Sequence, residues 1–154
     1  MYYKKNNLYI EKVSTFSLAK KINTPFYCYS FKRLKNNINQ FKKNFRGINP
    51  LICFSVKSNN NTNILRIIKN FGLGADVVSK GELLRVLKAG IKPHKIVFSG
   101  VGKTSDEINF AVQKKILLIN AESENEVRII EKIAKKRRVK INIGLRLNPN
   151  IDAK

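Results

Sequence analysis

The stretch LICFSVKSNNNTNILRIIKNFGLGADVV, residues 51–78, decides the fold. It begins with an unbroken apolar run, LICFSV (51–56), which predicts a fully buried strand. Apolar residues at helical spacing follow over residues 60–72, and Gly72 is the residue type that most often ends a helix. The run ADVV (75–78) predicts a second strand. A strand, a crossover helix and another strand in succession are typical of parallel pairing.

The same alternation continues on both sides of this unit. Predicted strands lie at FYCY (26–29), LICFSV (51–56), ADVV (75–78), KIVFS (95–99), ILLI (116–119) and KINIGLRL (140–147). A stretch with helical spacing follows each of the first five, and Ser30, Ser79 and Thr104 stand where N-caps are expected. Glu82 and Glu107 give the second and third caps capping-box spacing.

Five strand–helix repeats with short connections and no antiparallel hairpin signal predict a parallel sheet. A doubly wound sheet and a (β/α)8 barrel both fit this pattern. The absence of a GxGxxG turn after the first strand counts against a dinucleotide-binding fold. Since a complete barrel takes about 250 residues, a chain of this length would hold about five of its eight units.

The composition is that of a globular domain. The chain has 154 residues, of which 43% are hydrophobic, enough to bury a core. Residues 1–14 contain no continuous apolar region, and no later run approaches the roughly 18 apolar residues of a membrane span. We therefore expect a cytoplasmic protein. Cys28 and Cys53 lie in apolar runs without CxxC spacing, so we expect buried, reduced thiols and neither a disulfide nor a metal site.

The net charge of +21 is the extreme feature of the composition. It is compatible with a nucleic-acid binder whose lysines neutralise phosphates. The basic residues, however, are spread along the whole chain, and aromatic residues are not interleaved with them in a stacking pattern. Lys, Asn and Ile are all abundant, which is what an AT-biased coding sequence produces. We therefore attribute the charge to genome composition and expect no specific nucleic-acid partner.

Polar residues cluster just past the predicted strand ends. They are Lys57, Asn59, Ser79, Ser99, Gly100, Asn120, Glu122, Arg146 and Asn148. In a barrel these positions line the rim at the carboxyl ends of the strands, where catalytic groups sit. The only histidine, His94, precedes the strand at 95–99, so we expect it on the opposite rim and in contact with solvent.

Lys57 is the residue whose position most suggests chemistry. A lysine rarely ends a buried strand without a reason. Burial would lower the pKa of such an amine and free it to form a Schiff base with an aldehyde cofactor such as pyridoxal phosphate. A lysine that simply reaches solvent at the rim fits the spacing equally well. A kinase lysine does not fit, because no glycine-rich loop precedes Lys57.

The stretch VFSGVGKTSDE, residues 97–107, is superficially similar to a nucleotide phosphate loop. Such a loop needs Gly, four residues, then Gly-Lys-Ser/Thr, and the place of the first glycine is taken by Val97. The turn that aims backbone N–H groups at phosphates is therefore missing. In addition, Asn120 stands where a magnesium-binding Asp would be expected. The sequence thus argues against nucleotide binding.

Six segments together resemble a known family. They are TPFYCYS (24–30), CFSVKSN (53–59), GLGADVVSKGEL (72–83), KIVFSGVGKT (95–104), INAESENEV (119–127) and LRLNPNIDAK (145–154). In order and spacing they are similar to the N-terminal part of the diaminopimelate decarboxylases, within the fold-type III pyridoxal phosphate decarboxylases. FSGVGKT and NPNIDAK are the most specific pieces. The family's usual VKAN and SGGEL are VKSN and SKGEL here, which adds Ser58 and Lys80 near the cofactor.

The resemblance implies an alanine racemase-like (β/α)8 barrel that binds pyridoxal 5'-phosphate, followed by a β-rich second domain, in a homodimer with shared active sites. The implied reaction converts meso-diaminopimelate to L-lysine and carbon dioxide. Lys57 matches the lysine that holds the cofactor, and Asp76 and Arg146 match cofactor-binding residues. Without the resemblance, Asp76 would be read as a surface charge at a strand end and Arg146 as a member of a rim ion pair.

The resemblance also implies a domain organisation. Residues 1–24 form an N-terminal segment that in the family packs with the second domain, and residues 25–154 form an incomplete pyridoxal phosphate-binding barrel. The family's remaining cofactor residues and its second domain lie beyond residue 154, so we expect the 154-residue chain alone to be inactive. Another fold-type III decarboxylase or racemase, or a noncatalytic carrier of pyridoxal phosphate, is the alternative.

Overall fold

The computed structural model describes residues 1–45 and 47–151, which divide into two compact units. The first is Met1–Pro50 and the second begins at Leu51. None of the helices within the described ranges is long and apolar enough to cross a membrane. The expected boundary between residues 24 and 25 concerns the organisation of the whole protein and stays a prediction.

The first unit opens with a small antiparallel sheet, β1 (Tyr2–Lys4), β2 (Asn7–Ile10) and β3 (Val13–Ser14). The expectation of no hairpin was therefore wrong. The turn between β1 and β2 places Lys5 and Asn6 at φ 46° and 59°. Two-residue hairpin turns favour Asn-Gly, and this one uses positive φ without a glycine, so its sequence lacks the usual signal.

Two helices follow in this unit, α1 (Thr15–Lys21) and α2 (Phe31–Lys43). The predicted N-cap of α2 is confirmed, because the Ser30 hydroxyl accepts a hydrogen bond of 3.0 Å from the Arg33 N–H. The same hydroxyl donates to Glu11 Oε1 at 2.7 Å, which ties the helix start to the turn after β2.

The strand predicted at residues 26–29 is absent from the described structure. The segment has no hydrogen-bonded neighbouring strand there, and Tyr27 is 90% exposed. The expectation of a buried thiol at Cys28 is wrong for the same reason, since the residue is exposed. An apolar run becomes a strand only when a partner pairs with its backbone.

The second unit is a five-stranded parallel sheet with a helix after each of its first four strands. Its elements are β4 (Cys53–Ser55), α3 (Thr62–Asn70), β5 (Gly74–Val77), α4 (Lys80–Lys88), β6 (Ile96–Phe98), α5 (Ser105–Lys114), β7 (Leu118–Ala121), α6 (Glu124–Arg137) and β8 (Ile143–Leu145). The strands are ordered β4-β5-β6-β7-β8, and each neighbouring pair is parallel. This confirms the predicted sheet. The strand predicted at 116–119 begins two residues later, at Leu118.

The strand register separates the two faces of the sheet. Ala75 pairs with Ile96 and Val77 with Phe98, and all four side chains are fully buried in the core. Asp76 lies between them on the other face, where residues are only partly buried. The run at 51–56 was expected to be fully buried, but β4 is an edge strand in the described structure and its three residues are half-buried.

The predicted caps of α4 and α5 are confirmed. Thr104 and Glu107 form a full capping box, in which the Thr104 hydroxyl accepts from the Glu107 N–H and the Glu107 carboxylate accepts from the Thr104 N–H. The Ser79 hydroxyl accepts from the Glu82 N–H at 3.2 Å. The Glu82 carboxylate reaches one residue further back and accepts from the Val78 N–H at 2.9 Å.

Candidate functional site

The predicted site residues lie at the edge where the five parallel strands end. Lys57 follows β4, Asp76 lies on β5, Asn120 lies on β7 and Arg146 follows β8 directly. Parallel strands present their carboxyl ends at one edge, so the topology brings these positions to the same rim, as expected. His94 lies in a 3₁₀ turn, Pro93–Lys95, before β6 and is exposed, which confirms its expected place on the opposite rim.

Lys57 is carried by a tight turn at the end of β4. The chain forms a 3₁₀ helix, Val56–Ser58, in which Val56 is fully buried. The Ser58 hydroxyl donates to the Ser55 carbonyl at 2.7 Å and closes the turn. Lys57 itself is exposed, and within residues 1–45 and 47–151 its ammonium has no hydrogen bond or ion pair. Of the two positions that the sequence left open for this lysine, buried at the strand end or in contact with solvent at the rim, the described residues leave it in contact with solvent.

A row of hydrogen bonds crosses three strands beside this turn. The Ser99 hydroxyl donates to Asp76 Oδ1 at 2.6 Å and accepts from Asn120 Nδ2 at 3.0 Å. Gly144 pairs with Asn120 across β7 and β8, and a side chain there would collide with the Asn120 amide oxygen. The Ser99 hydroxyl therefore holds the Asp76 carboxylate in one orientation. The second carboxylate oxygen, Oδ2, takes no part in this row of hydrogen bonds.

Cys53 lies on β4, paired with Gly74 of the neighbouring strand. Its thiol is half-buried, and burial, followed by the negative charge of Asp76, raises the pKa of Cys53. The Cys53 thiol therefore stays protonated at neutral pH, as expected for a structural cysteine.

Arg146 meets an acidic partner at the rim. Its Nε lies 3.5 Å from Glu122 Oε2, and its backbone N–H donates to the Ala121 carbonyl at 3.0 Å. The other carboxylate oxygen of Glu122 accepts from the Gly100 N–H at 2.9 Å. The Arg146 side chain is 69% exposed and the Glu122 side chain 9%. Glu122 therefore lies on the Nε side of the guanidinium, and most of the Arg146 side chain faces solvent.

Lys103 has a role that sequence reasoning missed. Its ammonium lies 3.0 Å from both carboxylate oxygens of Glu126 and 2.7 Å from the Gly100 carbonyl. The residue is only 8% exposed, so the lysine of the apparent nucleotide loop is a buried structural cation. Ser123 caps α6 with Glu126 three residues later, and that capping-box spacing was the available signal for the acidic partner.

The comparison with protein families matches residues 31–154 to the pyridoxal-dependent decarboxylases, pyridoxal binding domain. The chain belongs to this family. Its α/β fold is the N-terminal part of the (β/α)8 barrel of fold-type III decarboxylases, as predicted.

Individual relatives carry a more specific name. A diaminopimelate decarboxylase of Helicobacter pylori strain J99 is 51% identical over 131 residues, which are 85% of this chain and 32% of the relative. The diaminopimelate decarboxylase of Aquifex aeolicus is 41% identical over 152 residues, which are 99% of this chain and 36% of the relative. This chain thus spans about a third of the length of the curated relatives it matches.

Solved structures agree with the fold. The crystal structure of diaminopimelate decarboxylase from Helicobacter pylori complexed with L-lysine superimposes with a TM-score of 0.87 at 46% identity, over 91% of this chain and 36% of that one. The diaminopimelate decarboxylase of M. jannaschii, also in complex with L-lysine, gives a TM-score of 0.92 at 32% identity, over 97% and 36% of the two chains.

Pyridoxal phosphate is the cofactor that this family membership implies. The rim residues fit such a group. It is an anionic aldehyde, and the described rim offers an accessible lysine amine, an oriented carboxylate at Asp76 and a guanidinium at Arg146. An aldehyde must be able to reach the amine with which it forms a Schiff base, and the Lys57 amine is accessible.

Proposed function

We propose that the chain is the N-terminal third of a pyridoxal phosphate-dependent diaminopimelate decarboxylase, which converts meso-diaminopimelate to L-lysine and carbon dioxide. The observation that carries this proposal is the unpaired amine of Lys57 on the same rim as Asp76 and Arg146. Support comes from relatives of that name at 38–51% identity and from two of their structures that contain L-lysine.

Each rim residue has a role that its surroundings support. Lys57 supplies the amine that holds the cofactor aldehyde. Asp76, kept in one orientation by the Ser99 hydroxyl, presents a fixed negative charge on the strand next to that of Lys57. Arg146 offers the exposed part of its guanidinium to an anionic group of the cofactor or substrate. When bound, pyridoxal phosphate supplies an electron sink for the electron pair left as carboxylate departs.

The proposal extends to the organisation of the whole protein. Residues 1–24 would pack with a β-rich second domain, and two copies would form a dimer with shared active sites, as the family resemblance implies. We place the reaction in the cytoplasm, where a lysine-biosynthetic enzyme would act. These features are tested on the full-length gene product that contains this sequence, by its mass in solution and by its location in fractionated cells.

Borohydride labelling tests the role of Lys57. The full-length gene product should be yellow with pyridoxal phosphate, and reduction should fix the cofactor to the peptide that contains SVKSN (55–59). The Lys57→Ala variant should bind no cofactor covalently and should release no carbon dioxide from meso-diaminopimelate. Labelling at Lys103 instead would disprove the assignment.

The substrate assay separates the rival functions. A decarboxylase of this specificity should release carbon dioxide from meso-diaminopimelate and form L-lysine. Racemisation without loss of carbon dioxide would indicate a racemase, and turnover of ornithine or arginine alone would indicate another decarboxylase. A protein that binds the cofactor through Lys57 and turns over none of these substrates would be a noncatalytic carrier.

A further inference from the structure

The peptide unit at Gly100 is held from both sides. Its N–H donates to Glu122 Oε1 at 2.9 Å, and its carbonyl accepts from Lys103 Nζ at 2.7 Å. Gly100 has φ +97°, where a side chain is strained, and an added Cβ would lie 3.4 Å from Val78 Cβ. The loop after β6 is therefore built around this one peptide.

Glu126 closes these bonds into a ring. Its carboxylate accepts from Lys103 through both oxygens and also accepts from the Glu122 N–H at 2.7 Å. Lysine has three N–H donors, and the Gly100 carbonyl and the two Glu126 oxygens use all of them. The ring thus passes through Gly100, Lys103, Glu126 and Glu122, and it joins the loop after β6 to the residue after β7.

The ring is a costly arrangement to keep for stability alone. The Lys103 side chain is 1% exposed and the Glu126 side chain 9%. Moving two charges out of water offsets most of their attraction, so a buried ion pair is often no more stabilising than apolar residues of equal size. What such a pair does provide here is geometry, because each charged group satisfies several fixed partners at once.

The residue that the ring holds in place at the rim is Glu122. The ring fixes this residue at its backbone N–H and at one carboxylate oxygen, and leaves the second oxygen facing Arg146 at 3.5 Å. Within the part of the chain that the structure describes, Glu122 is the only acidic residue in an ion pair with Arg146. A guanidinium with an acidic partner on its Nε side leaves its terminal N–H groups available for a second anion.

We propose that the buried Lys103–Glu126 pair is a positioning device that acts through Glu122 to orient the Arg146 guanidinium for an anionic group of the cofactor. The inference rests on the proposed function, in which Arg146 contacts the cofactor. It assigns a structural role to Lys103 in the FSGVGKT stretch (98–104), which is only superficially similar to a nucleotide phosphate loop. Lys103 and Glu126 act at a distance and touch neither cofactor nor substrate.

A double-variant cycle on the full-length gene product tests the proposal. Lys103→Met combined with Glu126→Gln removes both buried charges together, which avoids leaving one of them unpaired. The readout is the dissociation constant of pyridoxal phosphate, followed by the absorbance of the bound cofactor. We expect the combined variant to weaken cofactor binding about tenfold, a coupling typical of residues in one hydrogen-bonded network.

Making the same change in protein that lacks the Arg146 side chain distinguishes positioning of Arg146 from a general loss of structure. In protein that already carries Arg146→Ala, the same combined change should weaken binding no further. Glu122→Gln should reproduce the tenfold loss, because an amide still accepts from the Gly100 N–H but no longer carries the charge that holds Arg146. The exposed pair Glu124–Arg128 on α6, changed to Gln and Met, is the matched control and should leave the dissociation constant unchanged.

Three outcomes would overturn the proposal. They are unchanged cofactor binding in the combined variant, an equal further loss in the Arg146→Ala background, and unchanged binding in Arg146→Ala itself, which would leave nothing to position. Thermal unfolding of each variant identifies any that fails to fold, and Glu122→Gln then carries the test by itself. The proposed function stands or falls separately, on labelling of Lys57.

Discussion

Gly74 on β5 approaches the Lys95 carbonyl so closely that a Cβ atom at Gly74 would overlap the carbonyl oxygen, with Cys53 Sγ only 2.9 Å from the same point. Because this carbonyl lies in the 3₁₀ turn directly before β6 and cannot move without shifting the strand, Gly74→Ala should destabilise the protein by about 3 kcal/mol. Urea unfolding of the full-length gene product measures this change. Gly81→Ala is the matched control, since the nearest atom to its added Cβ is 3.8 Å away and alanine favours a helix.

The Cys53 thiol should react slowly. Burial and the Asp76 carboxylate raise its pKa, and a raised pKa means less of the reactive thiolate at any pH below it. Alkylation of the Cys53 peptide at pH 8, followed by mass spectrometry, should be slower in native protein than in urea. Asp76→Asn removes the smaller of the two causes and should speed the native reaction. Equal rates in native and unfolded protein would contradict the prediction.

Glu107 should stabilise the protein in a pH-dependent way. Hydrogen bonds from the Lys80 N–H and then the Thr104 N–H lower the pKa of Glu107 below its ordinary 4.5. A carboxyl group whose pKa is lower in the folded than in the unfolded protein adds stability at pH values above its unfolded-state pKa. That stability disappears as the pH falls through its folded-state pKa. Glu107→Gln should therefore lower the melting temperature at pH 7 and have a smaller effect at pH 4.

The neighbouring acid is the control for Glu107. Asp106 pairs with Lys80 at the surface, where its side chain is 71% exposed, and exposed ion pairs contribute little. Asp106→Asn should change the melting temperature by less than Glu107→Gln at pH 7. A Glu107→Gln effect of the same size at both pH values would show that the side chain acts by shape and not by charge.

Duplex DNA should bind only through bulk charge. The net charge is +21, and every acidic side chain in residues 1–45 and 47–151 already has a hydrogen-bond or ion-pair partner within the protein. Any binding seen at low salt should disappear at about 0.15 M salt and should not depend on sequence, because phosphate contacts carry no base information. Fluorescence anisotropy across a salt series measures it, and selective binding at 0.15 M would contradict this view.

The parallel sheet was predictable because its signals are local. Unbroken apolar runs, caps such as Thr104 with Glu107, and a stop at Gly72 each depend on a few neighbouring residues. The residues at 26–29 have the same apolar character and form no strand in the described structure, since pairing depends on a partner elsewhere in the chain. The β1–β2 hairpin was missed because Lys5 and Asn6 turn without a glycine.

The candidate site was predictable to the same extent. Lys57, Asp76 and Arg146 lie at or just past strand ends, so their common rim follows from the parallel topology alone. Their roles stay predictions until the labelling and binding experiments are done. The Lys103–Glu126 pair was missed because the capping-box spacing of Ser123 and Glu126 marks only the acid, while its basic partner lies 23 residues away in sequence and meets it only when β6 and α6 are in place.

The strand order of the second unit also bears on how the chain assembles during translation. From β4 to β8 each strand pairs with the one made just before it. A ribosome releases the chain from its N-terminus at roughly 5–20 residues per second, far more slowly than a short loop closes. Each emerging strand therefore has its pairing partner already synthesised and needs only one crossover to close before it can pair. The sheet can grow in the order of synthesis, with the newest strand always at its edge.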